Sequence, residues 1–511
     1  MIGAESLWEL VVRRAEATPG NIFAIDEDQL SLSFAQYRDA SERCAAGLAE
    51  NGVTAETRVS WQLPTTIDAL ILCAALSRLG AVQNPILPIY REKEVGFVVE
   101  QLGSEVLIVD GVLRGFDHAA MAESLARRLA PLRALDLSSG LPDGNPADLS
   151  AFAEADADPV RWVLYSSGTT ADPKGAKHTD GTLLAASDGF ARRLLLRADD
   201  QIALVFPVTH VGGILWLMNG LRVGCRQIVI AQFDPAITIP FLAQHGVTQA
   251  TAGTVFHQAY LSAQRENPSS PLFPNLRTLP GGGAPKPPQL FFDIRRELNA
   301  PIVSGYGLTE CPVLAMNGPD DPDLKLAHTE GRACPEIAEI RICDLEGHAL
   351  ATDAEGEIRV RAPQLCRGYW NASLDDDAFD ADGFFRTGDL GALDEAGFLR
   401  VTGRLKDIII RKGENISAKE IEDQLFRHDA VAEVAVIGLP DADRGELCCA
   451  VVVLVSGQPA LGFDEMVRFL GDAGLMRHKI PERLEHVGEL PRNPTGKVLK
   501  EALKQRFSNP S

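Results

Sequence analysis

The chain has 511 residues, with 49 Lys+Arg against 70 Asp+Glu and a formal charge of −21. One hydrophobic core supports roughly 250–300 residues, so several domains are expected. A charge this negative argues against nucleic acid or an anionic membrane surface as a partner. Its distribution is uneven. From Lys406 onward there are 15 Lys+Arg and 17 Asp+Glu, so nearly all of the acidic excess lies in residues 1–405.

In chain order, helical patterns at Glu5 to Ala17 and Phe34 to Asn51 alternate with short apolar runs such as Val106-Leu-Ile-Val109. The run from Ile67 to Val82 is interrupted by Asp68, Ser77 and Arg78. It is too short and too charged to cross a bilayer and reads as a packed helix, so no transmembrane segment is expected. A Pro/Asp/Gly-rich stretch from Ser138 to Ala157 leads into the strand Trp162-Val-Leu-Tyr165. Further strand-like runs occur at Ile202 to Phe206, Gln227 to Ile230 and Ile302-Val303, with helical patterns between them. That alternation predicts an α/β fold, with parallel sheets covered by helices on both faces. From about Gly331 the texture changes to short strands and turns (Glu336 to Cys343, Gly356 to Arg361), which predicts a small β-barrel. After Asp407 an α+β pattern follows: helices at Ala418 to His428 and Phe463 to Ala473, strands at Val431 to Ile437 and Cys448 to Val455.

The N-terminus shows no basic start followed by an apolar core, so no secretory signal is evident. Nine cysteines are scattered without metal-ligand spacing and read as reduced thiols in a cytoplasm. Cys448 and Cys449 lie in an apolar run and are expected in a core.

Two distant segments carry the chemistry. Tyr165-Ser-Ser-Gly-Thr-Thr-Ala-Asp-Pro-Lys-Gly175 is a loop of small and hydroxyl residues with a lysine. Its backbone N–H groups and hydroxyls can wrap a polyphosphate, and Lys174 adds a point charge. The P-loop spacing is absent. The second segment, Pro491-Arg-Asn-Pro-Thr-Gly-Lys497, presents a lysine on a glycine turn.

Together with Pro207-Val-Thr-His210, Gly281-Gly-Gly-Ala-Pro285, Tyr306-Gly-Leu-Thr-Glu310, Arg386-Thr-Gly-Asp389 and Gly403-Arg-Leu-Lys-Asp407 running to Ile416, these segments resemble the adenylate-forming, acyl-activating superfamily in its acyl-CoA synthetase branch. The resemblance covers nearly the whole chain. It implies a large N-terminal domain (1–405) of two helix-covered sheets plus the barrel, and a mobile C-terminal lid (406–511). It implies a phosphate loop of Ser166, Ser167, Gly168, Thr169, Thr170 and Lys174. Tyr306 would pack beside adenine with Gly283, Ser304 and Gly305, Thr309 would meet the α-phosphate, and Glu310 would hold Mg²⁺. Asp389 would accept the ribose hydroxyls, with Arg404 on the ribose or α-phosphate, and Lys406 would be the hinge. Lys412 and Gly413 would swing in toward coenzyme A, and Lys497 would reach the α-phosphate. Ala171, Ser304 and Ile410 depart from the family's usual residues.

His210, Gly213 and Gly282 are expected at the acyl site, where Gly212, Gly253, Gly281, Gly283 and Gly305 leave volume. Val208, Val211, Ile214, Trp216, Val255 and Phe256 are candidates to line it. No Asp accompanies His210 to pair with a substrate ammonium, which favours an acid without an α-amine. The resemblance therefore implies an ATP-, Mg²⁺- and CoA-using ligase for a hydrophobic monocarboxylic acid (medium-chain, alicyclic, aryl or steroid-derived). A ligase that loads a carrier-protein thiol, or a non-catalytic binding relative, is the alternative. A second copy of the chain and a protein acetyltransferase acting on Lys497 are candidate partners.

Overall fold

The computed structural model describes residues 1–150, 158–166, 172–251, 253–283, 286–411, 414–441, 443–455, 457–492 and 498–508. Two sheets organise the large part of the chain. The first has six strands in the order Lys174–Thr179, Val160–Ser166, Val82–Pro85, Arg58–Gln62, Val106–Val109, Arg133–Asp136. Only the first pair is antiparallel. Val106–Val109 is an unbroken apolar run, buried throughout, as expected of a strand covered on both faces, whereas the inner strands Arg58–Gln62 and Val82–Pro85 bury Ser60, Gln62, Gln83 and Asn84.

The second sheet runs Ser31–Ser33, Ile22–Asp26, Arg226–Val229, Gln201–Leu204. It continues through Gln249, which bridges Ile202 on one side and Thr278 on the other. That bridge joins it to Leu279–Gly282, Ile302–Tyr306, Ala315–Met316 and Arg332–Ala333. Helix Ile67–Leu79, buried along nearly its whole length, packs against helices Leu7–Ala17 and Phe34–Glu50. The apolar run read as one helix to Val82 ends at Gly80, whose left-handed φ of 72° caps the helix, and a strand starts at Val82.

The short strands expected for a small barrel, Glu339–Cys343, Gly356–Arg361, Phe385–Leu393 and Leu399–Arg404, form a four-stranded antiparallel sheet. Among the described residues its outer strands, Glu339–Cys343 and Leu399–Arg404, do not pair with each other. From Ile408 the chain builds a separate five-stranded sheet from Ile408–Arg411, Glu414–Ser417, Val431–Asp441, Gly445–Leu454 and Arg483–His486. Helices Ala418–Leu425, Phe463–Asp472 and Lys500–Ser508 pack on it. Its two apolar clusters contain only residues from Ile409 onward. The two parts touch where the Ser417 hydroxyl donates to the Thr402 carbonyl at 3.0 Å. All nine cysteines are free and buried, Cys448 and Cys449 within this C-terminal sheet. Among the described residues no helix is long and apolar enough to cross a membrane.

Candidate active site

The C-terminal ends of strands from both large sheets and the edge of the antiparallel sheet surround a cavity of about 710 Å³. Ligands in open α/β sheets collect at such strand ends. Ser166 ends one strand and Lys174 begins the next, directly opposite it in the antiparallel register, so the pair closes the loop between them. Gly175 is needed there, because a Cβ would lie 2.9 Å from the Tyr165 ring. Ser167, Gly168, Thr169 and Thr170, with Ala171, lie outside the described residues, as do Lys412, Gly413 and Lys497.

Asp389 and Arg404, fifteen residues apart in sequence, face each other across a hairpin. Arg404 Nε lies 2.7 Å from Asp389 Oδ1, and the Tyr306 hydroxyl donates to Asp389 Oδ2 at 2.6 Å. A carboxylate offers about four acceptor positions, so this one, 2% exposed, is fixed by two partners and keeps capacity for more. Glu310 is 7% exposed, and its Oε1 accepts from the Tyr369 hydroxyl at 2.7 Å. The Lys174 ammonium stands 5.3 Å from the centre of the Tyr369 ring. Lys406 lines the same cavity on a short turn, Leu405–Asp407. Burial lowers its pKa, and Arg404 pushes the same way. Lys406 is within electrostatic reach of Arg404, Asp389 and Lys174, and Tyr369 touches both Lys174 and Glu310.

The uncharged wall is formed by helix Val211–Asn219 and its neighbours. Val211, Leu215 and Trp216 line it with Phe190, Phe206 and Met316, and Trp216 meets Phe190 edge-on at 4.6 Å. His210 caps that helix: its Nδ1 accepts from the Gly212 amide at 3.1 Å. Burial pushes its pKa down to about 4, so the ring is neutral with its proton on Nε2.

Several expected site residues sit elsewhere. A Cβ on Gly213 would lie 2.2 Å from the Pro207 carbonyl oxygen, so Gly213 permits close packing at the helix start, and Gly212 is the glycine on the wall. Ser304 is not among the lining residues; its hydroxyl accepts from Lys286 at 2.8 Å. Val208 and Ile214 are core residues, Phe256 packs on Phe233 at 4.8 Å, and Val255 is exposed. Gly281, Gly282, Gly283, Gly305 and Thr309 do line the cavity, and Gly283 has a left-handed φ of 78° with open space where a Cβ would stand. Tyr369 and Lys286 escaped the sequence reading. The only sequence signal was an aromatic pair after a glycine for the first, and none existed for the second.

His178 supports the site from behind, its Nε2–H donating to the Thr309 carbonyl at 2.8 Å. Burial holds its pKa near about 4. The folded value lies below the unfolded one of about 6.5, so the unfolded state takes up the proton first and stability falls as pH drops from 6.5. Comparing wild type with His178→Gln, the contribution of this ring should fall by about 2 kcal/mol between pH 7 and pH 5 in denaturant titrations. A difference that stays constant over that range would show that His178 is not held neutral.

A family model described as AMP-binding enzyme matches residues 11–370, and one described as AMP-binding enzyme C-terminal domain matches residues 420–497. The chain is 31% identical over 519 residues to a long-chain-fatty-acid–CoA ligase, FadD13, of Mycobacterium tuberculosis, covering 98% of each. It is 28% identical to the medium-chain fatty-acid–CoA ligase of Escherichia coli (98% of this chain, 90% of that protein). A salicyl-AMP ligase / salicyl-S-ArCP synthetase of M. tuberculosis is 31% identical (92% and 85%). ATP-bound MatB from Rhodopseudomonas palustris superposes with a TM-score of 0.87 at 26% identity, covering 98% of this chain and 99% of that one. The apo form of MatB covers the same shares with a TM-score of 0.77 at 26% identity. With both family models matched in order along it, the chain belongs to the AMP-binding enzyme family, in the acyl-CoA synthetase branch of the adenylate-forming superfamily, and is an AMP-forming acid–thiol ligase.

Proposed function

We propose that the protein joins a hydrophobic monocarboxylic acid to coenzyme A at the expense of ATP, releasing AMP and pyrophosphate. The observation that carries this reading is one cavity lined both by charged groups (Lys174, Glu310, Asp389, Arg404, Lys406) and by the uncharged side chains Phe190, Phe206, Val211, Leu215 and Trp216. A carboxylate oxygen of the acid attacks the α-phosphorus of ATP, forming an acyl-adenylate as pyrophosphate leaves. The CoA sulfur then attacks the acyl carbon and AMP leaves. Two unit charges 4 Å apart interact by about 4 kcal/mol at an effective dielectric of 20, so neutralising two approaching anions is the main task. We assign that role to Lys174, Arg404 and, from the C-terminal part, Lys497. Asp389, held by Tyr306 and Arg404, orients the ribose. Neutral His210, with Nε2–H as its ring donor, suits a hydrogen bond to the substrate carboxylate.

Mg²⁺ fits Glu310. Its Oε2 is engaged by none of the described residues, and no group of three or more acidic, His or Cys ligands occurs among them. One carboxylate plus phosphate oxygens and water is the usual Mg²⁺ environment in nucleotide sites. The ion would supply charge neutralisation at the phosphates.

The acyl wall decides the substrate class. Burying an unpaired charge beside Val211, Leu215 and Trp216 costs several kcal/mol, while each buried CH₂ adds about 0.8 kcal/mol until the pocket is full. In a competition at equal concentrations, octanoate, cyclohexanecarboxylate or benzoate should give more CoA product than acetate, phenylalanine or malonate. A win for phenylalanine or malonate would overturn the apolar-acid reading. Similarity to a salicyl-AMP ligase keeps transfer to a carrier-protein thiol as the second reading. AMP release that needs a carrier thiol and ignores CoA would establish it.

A further inference from the structure

Glu310 and Lys174 carry opposite charges in one cavity, yet no ion pair joins them among the described residues. Tyr369 stands between them. Its hydroxyl donates to Glu310 Oε1 at 2.7 Å, and its ring faces the Lys174 ammonium at 5.3 Å from the centroid. The tyrosine is 3% exposed and fixed from several sides. Its amide donates to Asp375 Oδ1 at 2.8 Å, and Tyr369 bridges Ala176. The Trp370 amide donates to the Gly175 carbonyl at 2.7 Å, and the Cys366 amide to the Glu310 carbonyl at 2.8 Å. Arg367–Trp370 is thus stapled to the strand that carries Lys174 and to the residue that carries the carboxylate.

We propose that Tyr369 is a positioning residue of the nucleotide site: its ring keeps Lys174 from pairing with Glu310, and its hydroxyl aims Glu310 at the cation. A direct Lys174–Glu310 pair would use up the ammonium a phosphate needs and the carboxylate a metal ion needs. The ring fills that gap, presenting its negative face to the ammonium and its hydroxyl to the carboxylate.

The proposal rests on the ATP reading above, and equilibrium binding to the full chain separates the two. The probes are ATP and AMP, titrated calorimetrically without acid or CoA, in chelator and across a Mg²⁺ series. Tyr369→Phe keeps the spacer and loses the donor. It should bind ATP in chelator within about twofold of wild type, while the affinity gained on adding Mg²⁺ shrinks about tenfold, as expected for one lost charge-assisted hydrogen bond. Tyr369→Leu should also weaken ATP binding in chelator, and adding Glu310→Gln to it should restore that binding by removing the carboxylate that captures Lys174. AMP affinity, which reads the Asp389–Arg404 end, should change little in Tyr369→Phe and so reports an intact fold. Variants that lower the melting temperature but keep wild-type Mg²⁺ dependence would reduce Tyr369 to a packing residue and overturn the proposal. A wild-type chain that binds no ATP would sink the nucleotide reading, and this proposal with it.

Discussion

Lys497→Ala should lower acyl-adenylate formation by about 1000-fold while leaving thioester formation from preformed acyl-adenylate within about threefold of wild type. Removing one preorganised group aimed at developing transition-state charge costs about 2.7–4 kcal/mol. In the proposed reaction Lys497 would be such a group only while the α-phosphorus is under attack. Once the adenylate exists, the leaving group is AMP and the pyrophosphate charge has gone. The two steps are measured separately: carboxylate-dependent exchange of labelled pyrophosphate into ATP, and single-turnover CoA transfer from synthetic acyl-adenylate. Equal loss in both would make Lys497 a general binding or folding residue. Acetylation removes the same charge, so protein acetylated at Lys497 should show the same split, and an acetyltransferase that modifies it would act on the first step alone.

Much of the charged half of the cavity was legible because its residues come as short motifs whose register follows from local structure. Asp389 and Arg404 lie on the two strands of one hairpin, where a register shift between Leu390 and Gly391 brings them opposite each other. Ser166 and Lys174 meet at the adjoining ends of two antiparallel strands. The glycines were harder. An empty side chain reads the same whether it leaves room for a ligand or lets two backbones approach, and only the structure puts Gly213 against the Pro207 carbonyl and Gly212 on the wall. Ser304 was placed at the site by its position in a motif, but a lysine 18 residues away holds its hydroxyl. Tyr369 was invisible because its partner Glu310 lies 59 residues away, and nothing local to either residue marks the pair. In the fold, Gly80 was a stop signal that apolar content concealed; one glycine in a left-handed conformation separates helix Ile67–Leu79 from strand Val82–Pro85.

Lys406→Pro should leave adenylation within about threefold of wild type and lower thioester formation by about 100-fold. The proposed junction between the two parts lies at this residue, and it sits on the short 3₁₀ turn Leu405–Asp407, between the last strand of the antiparallel sheet and the first strand of the C-terminal sheet. Such turns hold φ near −50 to −70°, close to the value of about −65° that proline imposes. Proline's φ therefore suits the turn in this arrangement, which superposes better on ATP-bound MatB than on its apo form. A hinge works by letting a few backbone angles take two sets of values, and proline removes that freedom for φ at Lys406. The arrangement it retains is the one matched by a nucleotide-bound relative, so the first half-reaction should survive. In the proposed reaction the second step would bring Lys412 and Gly413 toward CoA, so it should be the one lost. A loss of about 100-fold corresponds to about 2.7 kcal/mol in the barrier. Lys406→Ala keeps the backbone freedom and removes the charge, which separates the two roles: it should retain far more thioester formation than the proline variant. Wild-type rates for both steps in Lys406→Pro would place the hinge at another residue, and equal loss in Lys406→Ala would show that the ammonium, not the backbone, is what the second step needs.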